Sequence, residues 1–226
     1  MAADEIFVFD AYGTLFDVHS ASARLSEKVG PTASRLSEVW RIKQLEYTWI
    51  YAAAGRQVTF WELTERSLDY AIEVTGTQID DATRAALLDA YRELSPYPEV
   101  VATLTRLRER GAKLAILSNG DPDLLERVVD RAGLAGTFDA VLSVVDAGTF
   151  KPHSAVYRLA VEAFDRPPQD IIFCSSNRWD IAGGAAFGFS CVWINRMRVP
   201  NEYPDLAPAR VLGSLEGLLE PAINNR

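Results

Sequence analysis

The sequence predicts an α/β chain in which a Rossmann-like parallel sheet, covered by helices, is interrupted by an inserted helical bundle. Two patterns carry that expectation. Apolar runs of strand length recur at 6–10 (IFVFD), 113–118 (KLAILS), 138–144 (FDAVLSV), 170–175 (DIIFCS) and 190–195 (SCVWIN). They are near-continuous rather than alternating, as strands buried on both faces are. The segments between them are helical in pattern, and from about 35 to 94 three helices are expected with no strand between them. The 226 residues therefore divide into an α/β core of 1–16 and 98–226 and a helical cap of 17–97.

In chain order, IFVF delivers Asp10 to the end of the first strand, and Gly13-Thr14 follow it in a turn. The cap helices are expected at 35–51, 59–74 and 81–94, with TFWE at 59–62 reading as a capping box of Thr59 and Glu62. The first of them carries Trp40, Tyr47, Trp49, Ile50 and Tyr51 on more than one face. That is more apolar surface than one amphipathic contact buries, and it points to a homodimer through the cap. LSPYP at 94–98 is a proline-bounded hinge back to the sheet. Beyond it, EVVATLTRLRER stops at Gly111, DPDLLERVVDRA has Asp121 as its cap and Pro122 in its first turn, and SAVYRLAVEAF lies behind Lys151-Pro152. These are the crossovers of βαβ units.

Composition narrows the partners. A net charge of −8 and a pI near 4.9 argue against nucleic acid or an anionic membrane, both of which need clustered Lys and Arg. No apolar run reaches membrane-spanning length, and MAADEIF has neither a basic region nor a cleavage pattern, so the chain reads as cytoplasmic. Cys174 and Cys191 sit in apolar runs and are expected as buried thiols rather than a disulfide. His19 and His153 fit no triad or metal spacing.

The polar residues converge at strand ends. In an open parallel sheet, ligands bind outside the carboxyl ends of the strands. Asp10, Ser118-Asn119 and Ser175 end three of them, Asn177 and Asp180 follow the last, and Lys151 opens a crossover helix. No Gly-x-Gly-x-x-Gly or Walker A loop is present, so no nucleotide is indicated. Taken singly, several of these residues have plainer readings. Lys151 fits a solvated loop, Arg41 a surface pair with Glu38, and Asp180 a helix start.

Together, FDAYGTLFD, LSNG, GTFKP and SSNRWD resemble the four motifs of the haloacid dehalogenase superfamily, in the wording of its L-2-haloacid dehalogenase branch. The resemblance implies that Asp10 attacks C2 of a 2-haloalkanoate and forms an aspartyl ester. It implies that Lys151 keeps Asp10 ionised, and that Ser118 and the N–H groups of Ala11 and Tyr12 bind the substrate carboxylate. Arg41, Asn119 and Trp179 would receive the halide. Thr14, Ser175, Asn177 and Asp180 resemble the set that positions and deprotonates water. Tyr12, Leu45, Phe60 and Trp179 would wall the substrate, and Tyr157 matches a family tyrosine near the cluster. No cofactor or metal is implied for this branch. Most superfamily members are magnesium-dependent phosphatases with a second Asp two positions after the nucleophile, and that is the alternative activity. Here that position is Tyr12. An oxygen leaving group needs a proton, for which a phenol of pKa about 10 is poorly suited, whereas a halide needs none.

Overall fold

The computed structural model describes residues 5–220. The first four residues of MAADEIF lie outside the described residues. Six parallel strands form one sheet: β1 (Ile6–Phe9), β2 (Lys113–Ser118), β3 (Ala140–Ser143), β4 (Ile171–Ser175), β5 (Ser190–Ile194) and β6 (Arg210–Leu212). Their order is β3-β2-β1-β4-β5-β6. The chain winds outward from β1 on one side and then on the other, which makes the gap between β1 and β4 the switch point where loops splay apart. β1, with Ile6 to Phe9 all buried, is the innermost strand. The sequence does not foretell the short strand β6, whose flanking residues are half-buried and whose middle one, Val211, is exposed.

Between β1 and β2 the chain runs through α1 (Ser20–Arg24), α2 (Ser26–Val29), α3 (Ala33–Ala53), α4 (Phe60–Thr75), α5 (Asp81–Tyr91) and α6 (Val100–Glu109). The first two are single turns too short to show a periodic pattern. α3 and α4 pack together as the body of the cap, and Trp40 is buried there: its Nε1 donates to the Thr64 carbonyl at 2.9 Å and its ring lies 5.1 Å from Tyr91. Trp40 thus belongs to the cap's own interior rather than to an outer contact. Thr59 caps α4 as expected, accepting from the Glu62 N–H at 3.0 Å, while the Glu62 carboxylate pairs with Arg66 instead of returning to Thr59.

The two strands of chain linking cap and sheet pair with each other. The Asp17 N–H donates to the Ser95 carbonyl at 2.8 Å and the Tyr97 N–H to the Leu15 carbonyl at 3.0 Å. Glu93 at this junction accepts from Arg127 and Arg131 at 2.9 and 3.0 Å.

The remaining helices are α7 (Pro122–Arg131), α8 (Ser154–Phe164) and α9 (Arg178–Phe187). Cys174 and Cys191 are buried and free. No helix among the described residues is long and apolar enough to cross a membrane. α8 and α9 approach closely because Gly183 has no side chain. A Cβ there would lie 2.7 Å from Pro152 Cβ and collide with the Tyr157 hydroxyl. Gly183→Ala is therefore expected to lower the unfolding free energy by about 1–3 kcal/mol. Urea denaturation checks this; a midpoint equal to that of the parent protein contradicts it.

Candidate active site

Asp10 is the first residue beyond β1, 5% exposed. Gly13 takes φ +94°, in the left-handed region that a side chain disfavours, and the chain turns there. The N–H groups of Leu15 and Phe16 return to the Ala11 carbonyl at 2.9 and 3.0 Å. This turn aims the Thr14 hydroxyl at Asp10 Oδ2, 2.8 Å away, while Thr14 Oγ1 itself accepts from the Ser176 N–H at 2.8 Å. Asn177 Nδ2 donates to Asp10 Oδ2 at 2.9 Å and Lys151 Nζ to Oδ1 at 3.2 Å. Two donors hold Oδ2 and one holds Oδ1, so Oδ1 keeps an uncommitted lone pair.

Lys151 is wholly buried and bridges two carboxylates, reaching Asp180 Oδ2 at 2.8 Å. Burial pushes its ammonium pKa down, but the charges and hydrogen bonds of Asp180 and Asp10 outweigh that and leave it raised. Its backbone is fixed by Asn119, whose Oδ1 accepts the Lys151 N–H at 3.0 Å. Asp180 lies in the first turn of α9, and its Oδ1 accepts from the Tyr157 hydroxyl at 2.8 Å. Burial pushes Asp180 up, the Lys151 ammonium pulls it down, and the charge of Asp10 raises it again, to about 6. A carboxylate raised in this way favours folding at low pH, and that contribution is lost as pH rises through about 6. The Tyr157 phenol is pushed well up by its own burial and by Asp180.

The cap contributes Arg41. Its Nη2 donates to the Tyr12 carbonyl at 2.8 Å and to Asn177 Oδ1 at 3.4 Å, and its Nη1 to Gln44 Oε1 at 2.9 Å. Glu38 pairs with Arg35 instead. Tyr12 is buried against Phe60 and Tyr91, with ring centroids 5.2 and 5.8 Å away, and burial raises its phenol well above the usual range. Leu45 is half-buried one turn beyond Arg41. Ser118 is wholly buried, and its Oγ accepts from the Gly120 N–H at 3.0 Å. The N–H groups of Ala11, Tyr12 and Asn119 have no protein acceptor among the described residues. Free donors around a buried carboxylate make an anion-binding concavity.

Two expected residues sit differently. Ser175 Oγ accepts from the Asn177 N–H at 3.1 Å and so shapes the turn that presents Asn177. Trp179 packs edge-on against Trp49, 5.5 Å between centroids, with its buried Nε1 unpartnered; the contacts found for Arg41 and Asn119 do not include it.

Other contributors were missed from sequence. Asp121, read as the cap of α7, makes no side-chain bond to that helix. Its carboxylate crosses to the cap and accepts from the Phe60 and Trp61 N–H groups at 3.1 and 2.8 Å, capping α4 from outside. Arg196 donates to the Thr14 carbonyl at 2.9 Å and to Ser176 Oγ at 2.7 Å, clamping the two turns together, and is itself held by Glu99 at 2.7 Å. No local pattern marks either contact, since each joins residues far apart in sequence.

The family model for haloacid dehalogenase-like hydrolases matches residues 5–188. The chain is 42% identical over 211 residues to (S)-2-haloacid dehalogenase 1 of Pseudomonas sp. (strain CBS-3), covering 93% of each chain. It is 43% identical over 212 residues to the (S)-2-haloacid dehalogenase of Pseudomonas sp. (strain YL), covering 94% of this chain and 91% of that one. The structure is similar, with a TM-score of 0.84 and 36% identity, to the L-2-haloacid dehalogenase of Xanthobacter autotrophicus with chloropropionic acid covalently bound, covering 96% and 97% of the two chains. With its six-stranded parallel sheet, its helical cap and Asp10 at the end of β1, the chain belongs to the haloacid dehalogenase-like hydrolase family.

Proposed function

We propose that this protein is an (S)-2-haloacid dehalogenase, which converts short L-2-haloalkanoic acids to D-2-hydroxy acids by way of an ester on Asp10. The observation that carries the reading is the Lys151 ammonium seated between Asp10 and Asp180, at 3.2 and 2.8 Å. Magnesium in the phosphatases of this fold serves to neutralise phosphoryl oxygens and needs several oxygen ligands. The donor set here does not fit such an ion: Tyr12 stands where a second carboxylate would be, and the two carboxylates share an ammonium. Among the described residues no group of three or more His, Cys, Asp or Glu could hold a metal. The names of the relatives, and the chloropropionic acid bound covalently in one of them, agree with this chemistry.

An oxygen of Asp10 attacks C2 from the side opposite the halogen, the carbon–halogen bond breaks, and C2 inverts. Asp10, Lys151 and Asp180 leave one net negative charge, and the substrate carboxylate adds another. The free N–H groups of Ala11 and Tyr12 and the Ser118 hydroxyl receive that carboxylate. Arg41 and Asn119, with Trp179 carried over from the family motif, meet the departing halide, because a forming anion in a dry site is best stabilised by donors already in place. Tyr12, Leu45, Phe60 and Trp179 supply the apolar wall. Water, held by Thr14 and by Asn177 in the turn that Ser175 shapes, then adds to Cγ of the Asp10 ester and gives its proton to Asp180. Once Asp10 is esterified, its charge no longer raises Asp180, so the base is ionised when it is needed. Tyr157 holds Asp180 in place. The ester bond breaks at Cγ, the leaving oxygen takes back the proton held by Asp180, and the second water proton passes to solvent, which returns Asp10 as a carboxylate and releases the 2-hydroxy acid.

We further propose that residues 17–97 act as a cap over a core of 1–16 and 98–226, and that the protein is a cytoplasmic homodimer. The cap's outer face supports pairing with a second copy: Ile42, Ile50 and Val74 are 57, 59 and 55% exposed, beside Tyr70 and Trp49.

Halide release should occur from L-2-chloropropionate and not from the D isomer, should persist in excess EDTA, and should vanish in Asp10→Asn. Magnesium-dependent phosphoester hydrolysis without halide release would contradict it. Asp180 sits at about 6 while Asp10 is charged and lower once Asp10 is esterified, so ester hydrolysis should hold its rate down through pH 6 and then fall about tenfold per pH unit as Asp180 takes up a proton. An ester-hydrolysis rate and pH profile unchanged in Asp180→Asn would remove Asp180 from that role. Sedimentation at micromolar concentration should give twice the 25.0 kDa chain mass, and a monomeric mass counts against the dimer.

A further inference from the structure

Gln44 is wholly buried inside the cap, on α3 beyond Arg41. A buried amide must find partners for both its ends. Its Nε2 donates to Thr64 Oγ1 at 2.7 Å, and its Oε1 accepts from Arg41 Nη1 at 2.9 Å and from the Tyr91 hydroxyl at 3.0 Å. The direction of this chain is settled by α4. The Thr64 hydroxyl gives its proton to the Phe60 carbonyl at 2.8 Å, so towards Gln44 its oxygen can only accept. The Gln44 NH2 therefore faces Thr64, and its carbonyl oxygen faces Arg41.

No carboxylate pairs with Arg41 among the described residues. Gln44 is a neutral acceptor: it orients the guanidinium without cancelling its charge, which a glutamate there would do. We propose that Gln44 is a positioning residue for departure of the halide. It takes one edge of the Arg41 guanidinium so that the other, anchored on the Tyr12 carbonyl at 2.8 Å, stays fixed beside the Asp10 turn. Arginine is long and has many rotamers; without this bond its charge remains nearby but its donors lose their aim. The inference rests on the reading above in which Arg41 receives the halide.

A positioning role changes how strongly the rate depends on the leaving group, because chloride, the poorer leaving group, needs the donor more than bromide does. Loss of stability alone would slow both substrates alike. The measurement is the pre-steady-state burst of halide from L-2-bromopropionate and L-2-chloropropionate, which isolates the carbon–halogen step. Gln44→Met should raise the bromide-to-chloride rate ratio about tenfold, a part of the roughly hundredfold that misplacement by an ångström can cost. Arg41→Lys should raise it too. Ser67→Ala removes a buried hydrogen bond of the same helix pair, to the Thr64 carbonyl at 3.0 Å, that involves neither Gln44 nor Arg41, and should leave the ratio at the parent value. If Gln44→Met does not fold, Thr64→Val carries the same test: with no acceptor to hold its NH2, the Gln44 amide is free to turn round, and the ratio should rise. A parent-like ratio in Gln44→Met, or in Thr64→Val where that variant stands in, overturns the inference if Arg41→Lys raises the ratio. If Arg41→Lys leaves it unmoved as well, the halide role of Arg41 falls and takes this one with it.

Discussion

One buried ammonium sets the terms for everything around it. Lys151 has no exposed surface and lies between two carboxylates that are themselves almost wholly buried. Three ions in a dry interior persist only when each is compensated by opposite charge and hydrogen bonds. Thr14 and Asn177 hold the Asp10 oxygen that Lys151 does not, and Tyr157 holds the Asp180 oxygen that Lys151 does not. Without Lys151, two like charges would share one cavity and one of them would take up a proton. That proton would disable either the proposed nucleophile, Asp10, or the proposed base, Asp180.

The requirement explains features that look independent. Gly13 takes a left-handed φ so that Thr14 can face back to Asp10. Gly183 lacks a side chain so that the Tyr157 hydroxyl can reach Asp180. Asn119 holds the Lys151 backbone, and Arg196 clamps the turn after β1 to the turn after β4. The sheet supplies the meeting point: β1 is flanked by β2 and β4, and the ends of these three strands supply Asp10, Ser118 and Ser175. The helical insertion is tied to the sheet domain by Asp121 on the N-terminus of α4, and it places Arg41 on the Tyr12 carbonyl.

How much of this was legible in the sequence depended on distance along the chain. The strand runs and the long cap helices stood out because hydrophobic periodicity is local, and their limits were read to within a residue or two for β1, β2, β4 and β5. Asp10, Gly13 and Thr14 were legible as a group because they share one turn. Lys151 and Asp180 gained meaning only through the family motifs, since a lysine before a proline reads equally well as a solvated loop. Asp121 and Arg196 were missed because their partners lie 60 and 182 residues away. Gln44 was missed for a different reason: it is three positions from Arg41, but its meaning depends on Thr64 and Tyr91 in two other helices. Trp40 was assigned outward because its helix is apolar on several faces, and the packing of α3 on α4 is what turns it in. α1, α2 and β6 are too short to show a period.

The central claim is that Asp10 attacks carbon and that water then attacks Asp10. A single turnover in oxygen-18 water, with the protein in excess over L-2-chloropropionate, tests it most directly through mass analysis of both the peptide containing Asp10 and the product. The account predicts label in the Asp10 carboxylate and none in the 2-hydroxy acid, whose new oxygen comes from the protein. Label in the product hydroxyl with an unlabelled Asp10 would mean that water attacks the substrate directly, and the role given to Asp10 would be wrong.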